Sequence, residues 1–255
     1  MLLYSNQIGS GKPLFVLHGF LGSGDNWKTF AKKWSEHQRT VHLIDARNHG
    51  RSFHHDQWDY PTMAEDVIAY ADHFGIETFD LLGHSMGGKT AMFLATTYPN
   101  RVEKVVVADI APKAYPPQHT EILEALYQLD QQQFEQRKDA EDFLAPRVES
   151  LSLRYFLLKN LERSSNNKLR IRCNIARFIE DQSTVTQGLE AHRTSTTDIQ
   201  FIRGLNSHYI LDQDLPLIAR HFPNYQLHSI ADAGHWLHAE QPEAFDAAVS
   251  RFFDL

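Results

Sequence analysis

Apolar residues along the chain fall into two patterns, short unbroken runs and repeats every three to four positions, and the two alternate. Leu14-Phe15-Val16-Leu17, Val41-His42-Leu43-Ile44, Phe79-Asp80-Leu81-Leu82 and Val105-Val106-Val107-Ala108 are runs of the first kind. Bounded by glycine, proline or polar residues, such runs predict strands covered on both faces. Trp27, Phe30, Ala31 and Trp34, and then Met63, Val67, Tyr70 and Phe74, recur at helical spacing. Thr62 and Glu65 read as the capping box of the second of these helices, which Gly75 ends. Further strands are predicted at Ile199–Gly204 and Tyr225–Ile230, and a closing helix over Pro242–Phe253. Strands alternating with helices in this rhythm predict an α/β fold with a mostly parallel, doubly wound sheet and function at the carboxyl ends of its strands.

The rhythm breaks at Pro112 and resumes after Thr197, with helical and mixed polar runs between and no strand of the buried type. The expected division is a core at 1–111, a mainly helical lid at 112–197 inserted after the strand that ends at Asp109, and the rest of the core at 198–255. An insertion at a strand's carboxyl end would cover the site. From Arg147 to Arg177 it carries eight basic residues against Glu149 and Glu162. Such a stretch is either a solvated helical face or, through Lys168, Arg170 and Arg172, a patch attracting anionic substrates such as acyl-CoA.

Two motifs overlap where the third of these runs meets a helix. Gly83-His84-Ser85-Met86-Gly87 has the Gly-x-Ser-x-Gly spacing of a nucleophile elbow, in which a strained strand-to-helix turn lifts the serine clear of the sheet. The helix beginning at Met86 aims its free N–H groups at charge developing beside Ser85. Gly83-x-x-x-x-Gly88-Lys89-Thr90 also spells a phosphate-binding loop, and Val105-Val106-Val107-Ala108-Asp109 imitates a strand ending in a magnesium-binding aspartate. A phosphate-binding loop normally follows the first strand of its domain, whereas about three strands precede this one. Two flanking motifs also find no use in the nucleotide reading. His18-Gly19-Phe20 follows a buried strand and leaves the Phe20 N–H free to face an oxyanion; Gly234-His235-Trp236 raises a histidine after the last strand.

Composition narrows the setting. At 255 residues, with one cysteine, Cys173, the chain has no intrachain disulfide; fifteen histidines include no His-Glu-x-x-His pair, so no metal site is expected. A formal charge of −7 argues against a general nucleic-acid or anionic-membrane binder. The start, Met1-Leu2-Leu3-Tyr4-Ser5, has no signal-peptide pattern, and no run of about 18 apolar residues occurs, which points to a cytoplasmic protein with no membrane insertion.

Together, His18-Gly19-Phe20-Leu21-Gly22-Ser23, Asp45-Ala46-Arg47-Asn48-His49-Gly50-Arg51-Ser52, Gly83-His84-Ser85-Met86-Gly87-Gly88 and Gly234-His235-Trp236-Leu237-His238-Ala239-Glu240-Gln241-Pro242 resemble the motifs of the α/β-hydrolase superfamily. More narrowly, the chain is similar to small cytoplasmic bacterial esterases acting on short acyl esters and acyl thioesters. The resemblance implies Ser85 as nucleophile, His235 as base, Phe20 and Met86 as oxyanion donors, no cofactor, and a small acyl ester or thioester as partner. Trp236 is a candidate substrate contact. A lyase or a ligand receptor on the same fold stays open, Lys89 becomes structural, and oligomeric state is not legible. The family usually places its acid as Gly-x-x-Asp after the second-last strand, but here that loop reads Gly204-Leu205-Asn206-Ser207. Asp109, ending the strand after the nucleophile strand, is the expected acid, with Asp212 and Asp214 as alternatives.

Overall fold

The computed structural model describes residues 1–254. Its strands are β1 (Ser5–Gly9), β2 (Lys12–Leu17), β3 (Arg39–Ile44), β4 (Phe79–His84), β5 (Val102–Ala108), β6 (Leu161–Arg163), β7 (Leu169–Ile171), β8 (Asp198–Gly204) and β9 (Gln226–Ile230). Seven form one sheet in the order β1-β3-β2-β4-β5-β8-β9, parallel throughout except for β1, so the fold is α/β as expected. The unbroken apolar runs are unbroken because both faces are covered. Phe15 and Leu17 of β2, with Val105 and Val107 of β5, join one core cluster, while Leu14, Val16, Val106 and Ala108 join the other.

The helices on the sheet begin with α1 (Lys28–Trp34), α2 (Tyr60–His73) and α3 (Met86–Thr97). The start of α2 differs from the sequence expectation. Asp59 is the cap, its carboxylate accepting from Thr62 N at 2.7 Å, and the helix opens on Tyr60-Pro61, two residues before Thr62. A proline suits the first turn because its missing N–H would be unpaired there anyway.

Between β5 and β8 the chain builds α4 (Thr120–Gln132), α5 (Arg137–Leu144), α6 (Leu151–Leu158), α7 (Ile175–Glu180) and α8 (Ser183–Thr186). It also forms an antiparallel hairpin, β6 with β7, that the sequence reading lacked; three-residue strands with alternating burial leave no apolar run to read. β1 was missed for a related reason, being a half-exposed edge strand of sequence Ser-Asn-Gln-Ile-Gly. Helices α9 (Leu215–His221), α10 (Leu237–Glu240) and α11 (Pro242–Phe252) complete the chain, and no described helix is long and apolar enough to cross a membrane.

Candidate active site

Ser85 is held at φ 52°, ψ −115°, a conformation rare for any residue with a side chain. The glycines around it make the turn possible: a Cβ on Gly83 would lie 2.3 Å from Gly87 O, and one on Gly87 would lie 2.2 Å from Leu17 O. Strand, turn and helix therefore meet backbone to backbone. Helix α3 leaves the N–H of its first residue, Met86, without an intrahelical acceptor. Among the described residues, no carbonyl of a turn or cap accepts from the backbone N–H of Met86 or of Phe20.

The Phe20 loop is braced by His18. Its Nε2 accepts from Ala46 N at 3.0 Å, so its Nδ1 carries the proton and donates to Gly19 O at 2.8 Å. Gly22 N donates to the same carbonyl at 2.9 Å, and Asn160 Nδ2 donates to Leu21 O at 2.7 Å. Burial holds the His18 ring below its ordinary pKa, which preserves this neutral form.

Asp109 follows β5 directly, fully buried, at φ 51°. Its Oδ1 accepts from Gly204 N at 3.2 Å; its Oδ2 accepts from Ser207 Oγ in a short bond and from His235 Nδ1 at 2.8 Å. The proton on Nδ1 fixes the tautomer whose Nε2 has a free lone pair. Two contacts that sequence reasoning missed hold the His235 ring. Tyr209 stacks on it at 3.9 Å between centroids and 18° between planes, and His84 Nε2 donates to the His235 carbonyl at 2.9 Å. His84 sits inside the elbow motif, which could have flagged it; Tyr209 has no signal in the sequence.

Ser85 and His235 line one cavity of about 100 Å³ without a direct hydrogen bond between them, a contact that in such sites tightens in the substrate complex. Its other walls include Phe20, Leu21, Trp236 and, from the inserted segment, His119, Ile122 and Phe156. Trp236, the candidate substrate contact, is among the residues lining this cavity.

The remaining candidates lie elsewhere. Asp212 pairs with Arg203 at 2.6 Å, and Asp214 with Lys113 at 2.6 Å and Leu211 N at 2.9 Å, so neither reaches His235. Lys168 pairs with Glu135, and Arg170 and Arg172 both pair with Glu162; none of the three lines this cavity or the one beside it. Counting charge along the segment could not show that carboxylates of the same segment meet it in space. Lys89 turns away from the elbow, its buried amine donating to Lys113 O at 2.9 Å, Thr186 O at 3.4 Å and Gln187 O. With Thr90 Oγ1 donating to Met86 O, the phosphate-loop match has neither its lysine nor its hydroxyl available.

A parallel sheet with an elbow serine, an acid and a histidine at its carboxyl edge defines a class, the hydrolases of this fold. The family model described as alpha/beta hydrolase fold matches residues 12–242, and the chain belongs to that family as an enzyme of the ester-hydrolase type. It is similar to an sn-1-specific diacylglycerol lipase, ABHD11, of Xenopus laevis, at 36% identity over 99% of this chain and 82% of the relative. Esterase YbfF of Escherichia coli is 31% identical, over 96% of this chain and 94% of its own. A solved structure described as a marine microorganism esterase superposes with a TM-score of 0.95 at 39% identity, covering 99% of both chains.

Proposed function

We propose that the protein hydrolyses carboxylic esters of short to medium acyl chains through a covalent acyl-enzyme on Ser85, with acyl thioesters, acyl-CoA among them, open to the same chemistry. The contact of His235 Nδ1 with Asp109 Oδ2 at 2.8 Å, beside the cavity that Ser85 shares, supports this most directly. Ser85 Oγ attacks the acyl carbonyl carbon while its proton passes to His235 Nε2, and Asp109 stabilises the resulting imidazolium. The carbonyl oxygen becomes an oxyanion facing the N–H groups of Phe20 and Met86, donors worth about 3 to 4 kcal/mol each in such sites. The bond to the leaving group then breaks and the departing atom takes the proton from Nε2. Water repeats the attack on the acyl-serine, again losing its proton to Nε2, and Ser85 recovers that proton as the carboxylic acid leaves.

The apolar walls given by Phe20, Leu21, Ile122 and Phe156, in a cavity of about 100 Å³, favour a compact acyl group. In this reading segment 112–197 is a lid that shapes the acyl side. A fluorophosphonate probe should add one adduct at Ser85 and abolish hydrolysis of p-nitrophenyl esters, and Ser85→Ala should be inert to both. Rates across esters and thioesters of graded chain length fix the preferred acyl group. Full ester hydrolysis by Ser85→Ala would refute the mechanism.

A further inference from the structure

A second cavity, of about 370 Å³, adjoins the first and shares Gly19, His84, Phe156 and Trp236 with it. Part of its wall comes from Trp236, His238 and Glu240, which follow His235 in the chain, and part from Ser152 and Tyr155 of α6 and from Lys159, which caps that helix. We propose that this outer cavity receives the leaving group of the ester and that Lys159 selects leaving groups bearing an anionic carboxylate or phosphate. The inference rests on the ester-hydrolase reading and adds a substrate class to it.

The side follows from the chemistry. His235 hands its proton to the departing atom, so the wall built by the residues after His235 flanks the departing group, while the compact apolar cavity takes the acyl part. The charge follows from an accounting of the outer wall. Among the described residues no carboxylate lies within 4.0 Å of the Lys159 amine, whereas Lys168, Arg170, Arg172 and Arg177 of the same segment are all paired. Glu240 also lines the cavity and carries a negative charge, but each of its oxygens is engaged by a backbone N–H, from Gly234 and from Trp236, and neither lies within 4.0 Å of the Lys159 amine.

The histidines of this wall add no positive charge. Burial pushes His238 down to about 3, helped by the charges of His235 and Lys159, and burial likewise pushes His18 and His84 down. Lys159 and His238 both line this cavity. Ser152 and Tyr155 line it too, with hydroxyls as donors for an anionic oxygen. The basic stretch thus reaches the site through one residue, Lys159, and Arg163, Lys168, Arg170 and Arg172 in and beside the hairpin do not line it.

The test compares two acetyl esters of similar phenols, 4-acetoxybenzoate and its uncharged methyl ester. The wild type should favour the anionic ester in kcat/KM at low salt, and Lys159→Met should cut that preference about fivefold, mainly through KM. Lys159→Glu should reverse the preference. Equal effects of both variants on the two esters would overturn the proposal, and so would discrimination that appears when the carboxylate is moved to the acyl side, as in a hemisuccinate ester. A wild type that turns over both esters with equal kcat/KM refutes the role of Lys159 alone. No turnover of either ester by the wild type refutes the ester-hydrolase reading with it.

Discussion

Lys89 is a buried amine outside the proposed triad, and replacing it gives a pH-dependent prediction. Its amine leaves α3, the helix that follows Ser85, and donates to carbonyls from both sides of the neck joining segment 112–197 to the core, Lys113 on one side and Thr186 and Gln187 on the other. The neck is also closed by Tyr115 N donating to Thr186 O and Leu189 N to Pro112 O, each at 2.8 Å. The groups facing the amine are the rings of Tyr60 and Tyr115 and the like charge of Lys113, which is itself paired with Asp214. Burial first, and then Lys113, push the Lys89 ammonium from 10.5 down to about 7.

A lysine depressed in the folded state remains protonated in the unfolded chain up to its ordinary pKa. Between about pH 7 and 10.5 the unfolded state therefore binds the extra proton, and the stability contribution of this residue rises with pH; below 7 both states are charged and the slope vanishes. Over the whole interval the ceiling is roughly 5 kcal/mol, and over the two units from pH 7 to 9 it is about 2.7 kcal/mol. Lys89→Met removes this slope. Its absolute stability combines relief of the buried charge with the loss of an amine donor to three carbonyls, so the difference between the two pH profiles is the informative quantity. Urea unfolding of both proteins at pH 6, 7, 8 and 9 should give curves that diverge above 7, the wild type gaining on the variant. Parallel curves would show that the carbonyls and rings keep Lys89 charged, and would refute the reasoning.

Asp109→Asn should fold and lose about 10⁴ in kcat, because the amide favours the wrong imidazole tautomer, while Asp212→Asn should keep near wild-type activity. Adding Ser207→Asp to Asp109→Asn should return part of the lost kcat, since Ser207 Oγ and His235 Nδ1 meet the same oxygen of Asp109; no recovery would show that the acid works only from β5. Tyr209→Leu should lower kcat roughly fivefold, a loss of about 1 kcal/mol for a stacked ring pair, with KM little changed, and an unaltered kcat would reduce the stack on His235 to packing.

The parts legible in the sequence were local. An elbow is a glycine pattern within five residues, and a strand covered on both faces announces itself as an apolar run, so β2, β4, β5 and Ser85 could be read from neighbours in the chain alone. What was hidden depends on distant pairing. β1 joins the sheet through its backbone while showing polar side chains, Tyr209 reaches the ring of His235 only after the chain returns from β8, and the pairing of Lys168 with Glu135 spans two helices and a strand. The true cap of α2, Asp59, was hidden by a more conspicuous pattern three residues on, Thr62 with Glu65.

In the proposed triad, strand order lets the acid change its place in the sequence while its role keeps its place in space. β5 and β8 are paired neighbours, Ala108 opposite Ile202, so the positions just past their carboxyl ends are adjacent. Asp109 N donates to Ile202 O at 2.8 Å, tying the turn after β5 to the next strand and bringing the carboxylate under the loop from Gly204 to Ser207. From that loop come two of its three donors, the backbone of Gly204 and the hydroxyl of Ser207; the third is His235. In this chain the loop that elsewhere in the fold supplies the charge supplies hydrogen bonds to it, and the three donors give a side chain buried away from water the partners it would otherwise lack. The left-handed turn at Asp109, φ 51°, is a cost of directing an acid from β5 rather than β8, and its backbone bond to Ile202 and these three donors are what offset it.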